Sequence, residues 1–477
     1  MPVSMIARLH RAPLAAGVLL GLVAAATMQP HHLAAASLVA QAEADLIASA
    51  PAGVSAPQAN TIVVQNCNDS GSGSLRAAIV AAASGDTIDL TQLACTRITL
   101  TTGQITVPQT SLTLNGPGPD QLSIDGDSGG NHFNRVFDHQ GIGSLALNHL
   151  NITNGKYRSA TTARGGCIRS SGTVGLYDST VTSCIVQSQS TNRASGGAIF
   201  SSGLSLLRSK ISGNVSDGGG NGAALGGGAY VVGDATVKYS TISNNTATDG
   251  MQVNGGGLLV ASGDAYLRNS TVSGNYSSSV FGGVYVTDGD GSHTLRIVDS
   301  TISGNHSAYG GAGVVSHVGT TIANSTIAFN SDTKFSGFGP GLVFRPTYGG
   351  SLTLHSSIIA NNYGPAADFD TDIPGATTVG GSNNLILAHT GPIPAGTLSG
   401  CPLLGPLGNQ GGETQTHRLL IGSPAIDAGS NPQNLTLDQR GTGFPRVHGA
   451  QADIGAFEDQ GVKPNVIFIG GFEGRCR

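Results

Sequence analysis

The chain has 477 residues, of which 72 are glycine and only 11% are charged, with Lys+Arg 23 against Asp+Glu 28 and no tryptophan. Glycine stands at about twice its usual share and charge at less than half. A hydrophobic fraction of 39% and a formal charge of -5 exclude a disordered chain, no three-residue glycine period supports a collagen, and the scarcity of Lys and Arg excludes a basic nucleic-acid binder.

Arg8 and Arg11, followed by the apolar run Pro13–Ala26, read as an export signal, with Ala24-x-Ala26 or Ala34-x-Ala36 as cleavage sites. The run is shorter than the ~18–20 residues that span a bilayer, so residues 1–36 are expected to leave the mature chain, which then has no transmembrane helix. Six cysteines fit an oxidising compartment. Cys67 and Cys95 flank one short unit, and Cys167 and Cys184 flank another, which favours those two pairings among the 15 connectivities that six cysteines allow. No Cys/His spacing suits zinc.

Residues 60–97 read as an N-terminal cap. A Gly/Ser loop after Cys67 leads into a helix-forming stretch, Leu75–Ala83, expected to lie over the first coil.

Residues 98–400 carry an internal repeat. The phrases Ser179–Cys184, Ser209–Asn214, Ser240–Asn245, Ser270–Asn275, Ser300–Asn305, Ser325–Asn330 and Ser356–Asn361 recur at intervals of 25 to 31 residues. Their third position is always Val or Ile, as at Val181, Ile211, Ile242 and Ile358. A second apolar patch follows a glycine pair, as in Gly196–Ile199 and Gly227–Tyr230. Short β-branched strands divided by Gly, Asn and Ser turns cannot bury a core one unit at a time, but stacked units can. The sequence predicts an all-β, right-handed parallel β-helix of roughly ten coils, spaced ~4.8 Å apart. The sixth-position Asn is expected to adopt the left-handed turn conformation and to hydrogen-bond one coil away. A propeller would need longer units with aromatic signatures, and the fixed leucines of leucine-rich repeats are missing.

In each repeat the residue before the Ser forms a column: Asp178, Arg208, Tyr239, Asn269, Asp299, Asn324 and His355, with Lys238 and Arg268 one place earlier. Stacked coil on coil, this column is a candidate carbohydrate groove, with Asp178, Arg208, Lys238, Tyr239, Arg268, Asn269 and Asp299 as its foremost residues. It has neither the paired carboxylates of a glycosidase nor aromatic platforms, so no residue is assigned a catalytic role. Asp368, Asp370 and Asp372 are the candidate calcium ligands, although Ile373 and Val379 stand where an EF-hand needs Gly and Glu. No other metal or cofactor is implied.

Residues 401–458 read as a C-terminal cap in which Asp438, Arg440, Arg446, Asp453 and Glu458 form the densest charged constellation of a charge-poor chain. The expected role is an ion-pair network closing the last coil. Residues 459–477 are a linker and tail containing Ile467–Glu473.

The two ends resemble a known family. Gly73-Ser-Leu-Arg-Ala-Ala-Ile79 with Gly85-Asp-Thr-Ile88, and Asn131–Phe137, are similar to the opening phrases of exported right-handed β-helix proteins. Ser423–Gly429, Asp438-Gln-Arg-Gly441, Arg446 and Asp453–Glu458 resemble the closing segment of bacterial surface proteins with a choice-of-anchor domain. The resemblance covers about residues 60–458. It implies export to the outside or outer surface of a bacterium, a β-helix and an adhesin-like setting, and it implies no catalytic activity. The resulting expectation is a non-enzymatic adhesion or carbohydrate-interaction scaffold, with a polysaccharide or cell-surface ligand. The alternatives are a polysaccharide lyase or glycosidase, and a purely structural rod.

Overall fold

The computed structural model describes residues 59–127, 133–334, 338–364, 371–373 and 378–461. The export signal (residues 1–36), the tail phrase Ile467–Glu473, and Asp368 and Asp370 lie outside the described residues.

The chain is a parallel β-helix, wound in the right-handed sense that parallel crossovers take. One coil shows the path. Ile168–Ser170 belongs to sheet 3, Thr173–Tyr177 to sheet 1 and Thr180–Thr182 to sheet 2. The chain then runs out through Ile185–Ser188 and Arg193–Ser195, in lateral sheets 4 and 5, before Ile199–Ser201 resumes sheet 3. Sheet 1 has 12 strands, sheets 2 and 3 have 11 each, and sheets 4 and 5 have 7 and 4. All strand pairs are parallel and in register one coil apart, such as Val181↔Ile211 and Ile211↔Ile242. Sheets 4 and 5 form an arm with small cores of their own, Ala163–Val186–Ala194 and Ala224–Ala247–Val253.

The interior is a stack of identical rungs. Ile152, Val181, Ile211, Ile242, Val272, Ile302 and Ile327 are all fully buried in one column, and Leu147, Leu176, Leu206, Val237, Leu267 and Ile297 are buried in another. Polar ladders flank them. Asn214, Asn245, Asn275 and Asn305 each donate Nδ2 to the Oδ1 of the asparagine one coil on, at 2.8–2.9 Å. The expected Asn ladder is therefore present, but its asparagines do not take the left-handed conformation. That belongs to the preceding position, occupied by Ser183, Gly213, Asn244, Gly274 and Gly304 with φ of 55–69°.

The ladder also explains a glycine. A Cβ on Gly228 would sit 2.6 Å from the Gly257 carbonyl oxygen and 3.0 Å from the side chain of Asn245. Only glycine lets the returning chain cross this close. The glycine pairs and the asparagines, separate signals in the sequence, are two sides of one contact.

The last repeat copy differs by one residue. Ile327 pairs with Ile359, and Asn330 hydrogen-bonds to Asn362, so Ser357 rather than Ser356 continues the Ser column. The physical reason is a spacing of 32 residues at this rung, with register held by the buried Asn and Ile columns.

At the N-terminal end, helix α1 (Leu75–Ala81) buries Leu75 and Ile79, with Ser74 as its N-cap. It stops two residues short of Ala83, because the Asp86 carboxylate accepts the Ala83 N–H at 2.8 Å and turns the chain. Disulfides join Cys67 to Cys95 and Cys167 to Cys184, the two favoured pairings. No helix of the described residues is long and apolar enough to cross a membrane.

Candidate functional site

The column before each Ser is the tight turn from sheet 1 to sheet 2. Asp178, Arg208, Tyr239, Asn269, Asp299 and Asn324 all adopt φ between 44° and 50°, and Ser356, not His355, continues the column. Side chains here splay outward because the left-handed turn redirects Cβ. The first rungs are open. Arg208 makes a bidentate pair with Asp178, at 2.7 and 2.8 Å, and lies over the Tyr177 ring at 4.5 Å. Lys238 lies 5.8 Å from the Tyr266 ring.

From Tyr239 onward the column is covered. The segment 401–461 does not close the last coil; it runs back along the flank. Asn383 and Asn324 donate to the carbonyls of Ala428 and Ser430, and Asn269 donates to that of Asp438 at 2.9 Å. Gly441 faces Tyr239, whose ring a Cβ added there would meet at 3.7 Å. Asn269 and Asp299 are 2% and 0% exposed, so they are buried anchors and not the floor of an open groove. The C-terminal segment thus lies over the turns between sheets 1 and 2 and meets Asn269, Asn324 and Asn383 through its own carbonyls.

The charged constellation is the anchor of this segment. Arg446 is fully buried and donates to Asp299 at 3.3 Å, Glu458 at 2.8 Å and the carbonyls of Gly455 and Asp453. Arg440 pairs with Asp438 at 2.6 Å between the rings of Phe444 and Phe457, each under 4 Å from its guanidinium carbon. Asp453 accepts the N–H groups of Asp427 and Asp459. Burial pushes Asp299 and Glu458 each up to about 7, against the pull of Arg446. Five residues read from sequence as one cluster are brought together, and Asp299 joins them.

Between the covering segment and the outer face of sheet 2 runs a trough of about 1180 Å³. Its floor is the outer face of sheet 2, with Lys210, then Thr241 and Ser243 on one strand, then Ser273 and Ser303 on the next two coils, and Glu413 lies on the opposite wall. Phe329, 39% exposed, closes one side. From Lys210 to Phe329 the floor crosses five rungs, roughly 20 Å at ~4.8 Å each. The sequence alone did not reveal it, since half its wall comes from residues 404–417.

His417 latches that wall to the floor. Its Nδ1 lies 2.7 Å from the Gly405 carbonyl, which only accepts, so Nδ1 carries the hydrogen and Nε2 accepts from the Ser303 hydroxyl at 2.8 Å. Burial lowers the imidazole to about 4. The order of bonds is that of a nucleophile and its base, but both residues are only 2% exposed and the imidazole is a weak base. The pair is a structural latch.

No family model matches the chain. No curated protein matches it either. Among solved structures it is similar to a crystal structure of pectate lyase Pel9A, with a TM-score of 0.44 and 14% identity, covering 84% of this chain and 97% of that chain.

Of the three candidate calcium ligands only Asp372 is described, and it is held by Arg345 at 2.6 Å. Aromatic side chains do stack on the outer face of sheet 3. Phe200, Tyr230 and Tyr285 share a register column, and Phe200 lies on Tyr230 with centroids 5.4 Å apart. Leu259 separates Tyr230 from Tyr285, whose ring meets Phe281 and His317, so the column is a stacked pair and a separate ring and not a continuous platform.

Proposed function

We propose that the protein is an exported β-helix that binds an extracellular polysaccharide along the trough between sheet 2 and residues 404–417. The observation that supports this reading is the trough itself: an open channel of about 1180 Å³ whose hydroxyls repeat once per coil. An extended glycan presents hydroxyls in a repeat of similar scale, so one chain meets Thr241, Ser243 and Ser273 in turn, the Ser303 hydroxyl being taken by His417. Disulfides support an oxidising, extracellular setting. The terminal phrases that resemble choice-of-anchor proteins support a bacterial surface location.

A second reading, a polysaccharide lyase, is favoured by Lys210 and Glu413, a candidate base and acid lining the same trough. A glycosidase is disfavoured, because Glu413 is the sole carboxylate among the described lining residues and glycosidases use two.

The test is affinity electrophoresis of the full mature chain against a panel of extracellular polysaccharides, scoring both retention and release of unsaturated ends. Retention is expected for at least one neutral or weakly charged glycan, and Ser273→Tyr, which fills the floor, should weaken it about tenfold or more. Unchanged retention by Ser273→Tyr would remove the trough from the account. Unsaturated ends, lost in Lys210→Ala, would move the reading to a lyase.

A further inference from the structure

A smaller pocket of about 300 Å³ lies at the base of the arm, on the sheet 3 side and away from the trough. Arg135, Asp138 and Arg169 come from sheet 3 and the chain leading into it, Gln104 from the coil below, and Tyr157 and Arg164 from the arm. In a chain with more acids than bases, residues 133–200 carry six basic side chains (Arg135, Lys156, Arg158, Arg164, Arg169 and Arg193) and two acidic ones (Asp138 and Asp178). The pocket concentrates that bias, with three guanidiniums and a single carboxylate.

The arginines are not equivalent. Arg135 is 5% exposed and fixed. It donates to the carbonyls of Gly165 and Arg164 and to Gln104 Oε1, and its guanidinium lies 3.6 Å over the Tyr157 ring. Asp138 accepts from Arg169 at 2.8 Å and from Arg135 at 3.4 Å, so one carboxylate is shared by two cations. Arg164 is exposed and its guanidinium leans on Phe200 at 4.9 Å, with no side-chain hydrogen bond among the described residues. Burying a guanidinium costs several kcal/mol unless its charge is met. Here Arg135 is met by two carbonyls, Gln104 and the shared Asp138, and Arg169 by Asp138, so among the described residues the cation left without an acid is Arg164, exposed beside a rigidly positioned positive charge. Such an arrangement matches a planar or tetrahedral oxyanion arriving from solvent, which guanidinium forks bind through two parallel hydrogen bonds. The volume is at the lower end of ligand pockets and suits one sugar ring.

We propose that this pocket is an anion-selective glycan subsite, in which Arg164 and Arg169 grip an oxyanion carried on a sugar ring while Arg135 supplies a fixed positive charge behind them. The oxyanion is a uronate carboxylate or a sulfate ester, which share this chemistry. The site is separate from the trough, so either stands if the other fails.

The experiment is calorimetric titration of the full mature chain with trigalacturonate, with its methyl ester, and with a sulfated trisaccharide. Trigalacturonate or the sulfated trisaccharide is expected to bind, more weakly as salt rises, and the methyl ester to bind at least about tenfold more weakly. The double variant Arg164→Gln/Arg169→Gln should lose about tenfold or more per contact removed, while Arg193→Gln, outside the pocket, should leave the affinity unchanged. Should the double variant not fold, Arg164→Gln alone removes an exposed side chain and serves in its place. Binding by the sulfated ligand only identifies the sulfate ester. Equal binding of the methyl ester, unchanged affinity in the arginine variants, or no binding of either anionic ligand would overturn the site.

Discussion

The coils and the C-terminal segment hold themselves together in opposite ways. A coil depends on its immediate neighbours: Asn275 receives from Asn245 and donates to Asn305, and Ile242 rests between Ile211 and Val272. These contacts are neutral, identical and about one repeat apart. The segment 401–461 has no regular strand ladder, and its contacts reach far along the chain, as from Asn269 to Asp438, 169 residues apart. It also concentrates buried charge in one network, Arg446, Glu458, Asp438 and Arg440 with Asp299 of the coils. Repetition stabilises by many small equal steps. The covering segment depends on a few large ones, so the two regions should fail differently.

The largest effect is expected from Arg446→Ala. Removing a fully buried guanidinium strands Asp299 and Glu458 together, at a cost of about 3–5 kcal/mol. Limited proteolysis should then cut within 401–461 while the far-ultraviolet signal of the coils persists; simultaneous loss of both would show that the regions are one cooperative unit. Asn275→Ala should cost less, about 2–3 kcal/mol, because its loss leaves the Asn245 and Asn305 side chains short of partners inside the stack. Hydrogen exchange should rise in the rungs on both sides and not in the C-terminal segment. A uniform rise would contradict the nearest-neighbour account.

The smallest effect concerns pH. His417 is lowered to about 4 in the folded chain, so between pH 6.5 and 4 the unfolded chain takes the proton and the folded chain does not. Stability from this group is present above about 6.5 and lost as pH falls. Asp299 and Glu458, raised to about 7, act in the opposite direction: below that pH the folded chain binds their protons first and gains stability until the unfolded values near 4 are reached. Denaturant unfolding should show His417→Gln gaining about 2 kcal/mol relative to the unaltered chain as pH drops from 7 to 4.5. Parallel pH profiles would mean that the latch to Ser303 does not shift the imidazole.

Much of the fold was readable because the repeat writes each contact many times. The Val/Ile position, the Asn ladder, the N-terminal helix and two disulfides all follow from patterns within about 30 residues. The left-handed position was misplaced by one, since an Asn before a turn and a Gly or Asn within it look alike in sequence, and only the φ values separate them. The groove column was partly legible. Asp178 and Arg208 do pair in the open, but nothing near Asn269 or Asp299 in the sequence announces that a segment more than a hundred residues later lies over them. The arginine pocket was hidden for a related reason, because Arg135, Arg164 and Arg169 occupy different positions of successive coils and converge only where the arm leaves sheet 3.

By itself the sequence determined the solenoid, its period and the residues that face its interior, since those rest on local spacing and on like residues stacking over like. Its 72 glycines are accounted for in part by the crossings beside the Asn ladder. Tertiary structure alone decided where residues 401–461 lie, and with them the trough, the buried ion network and the fate of the turn column. Those features come from single contacts at long range, which occur once each and leave no period to read.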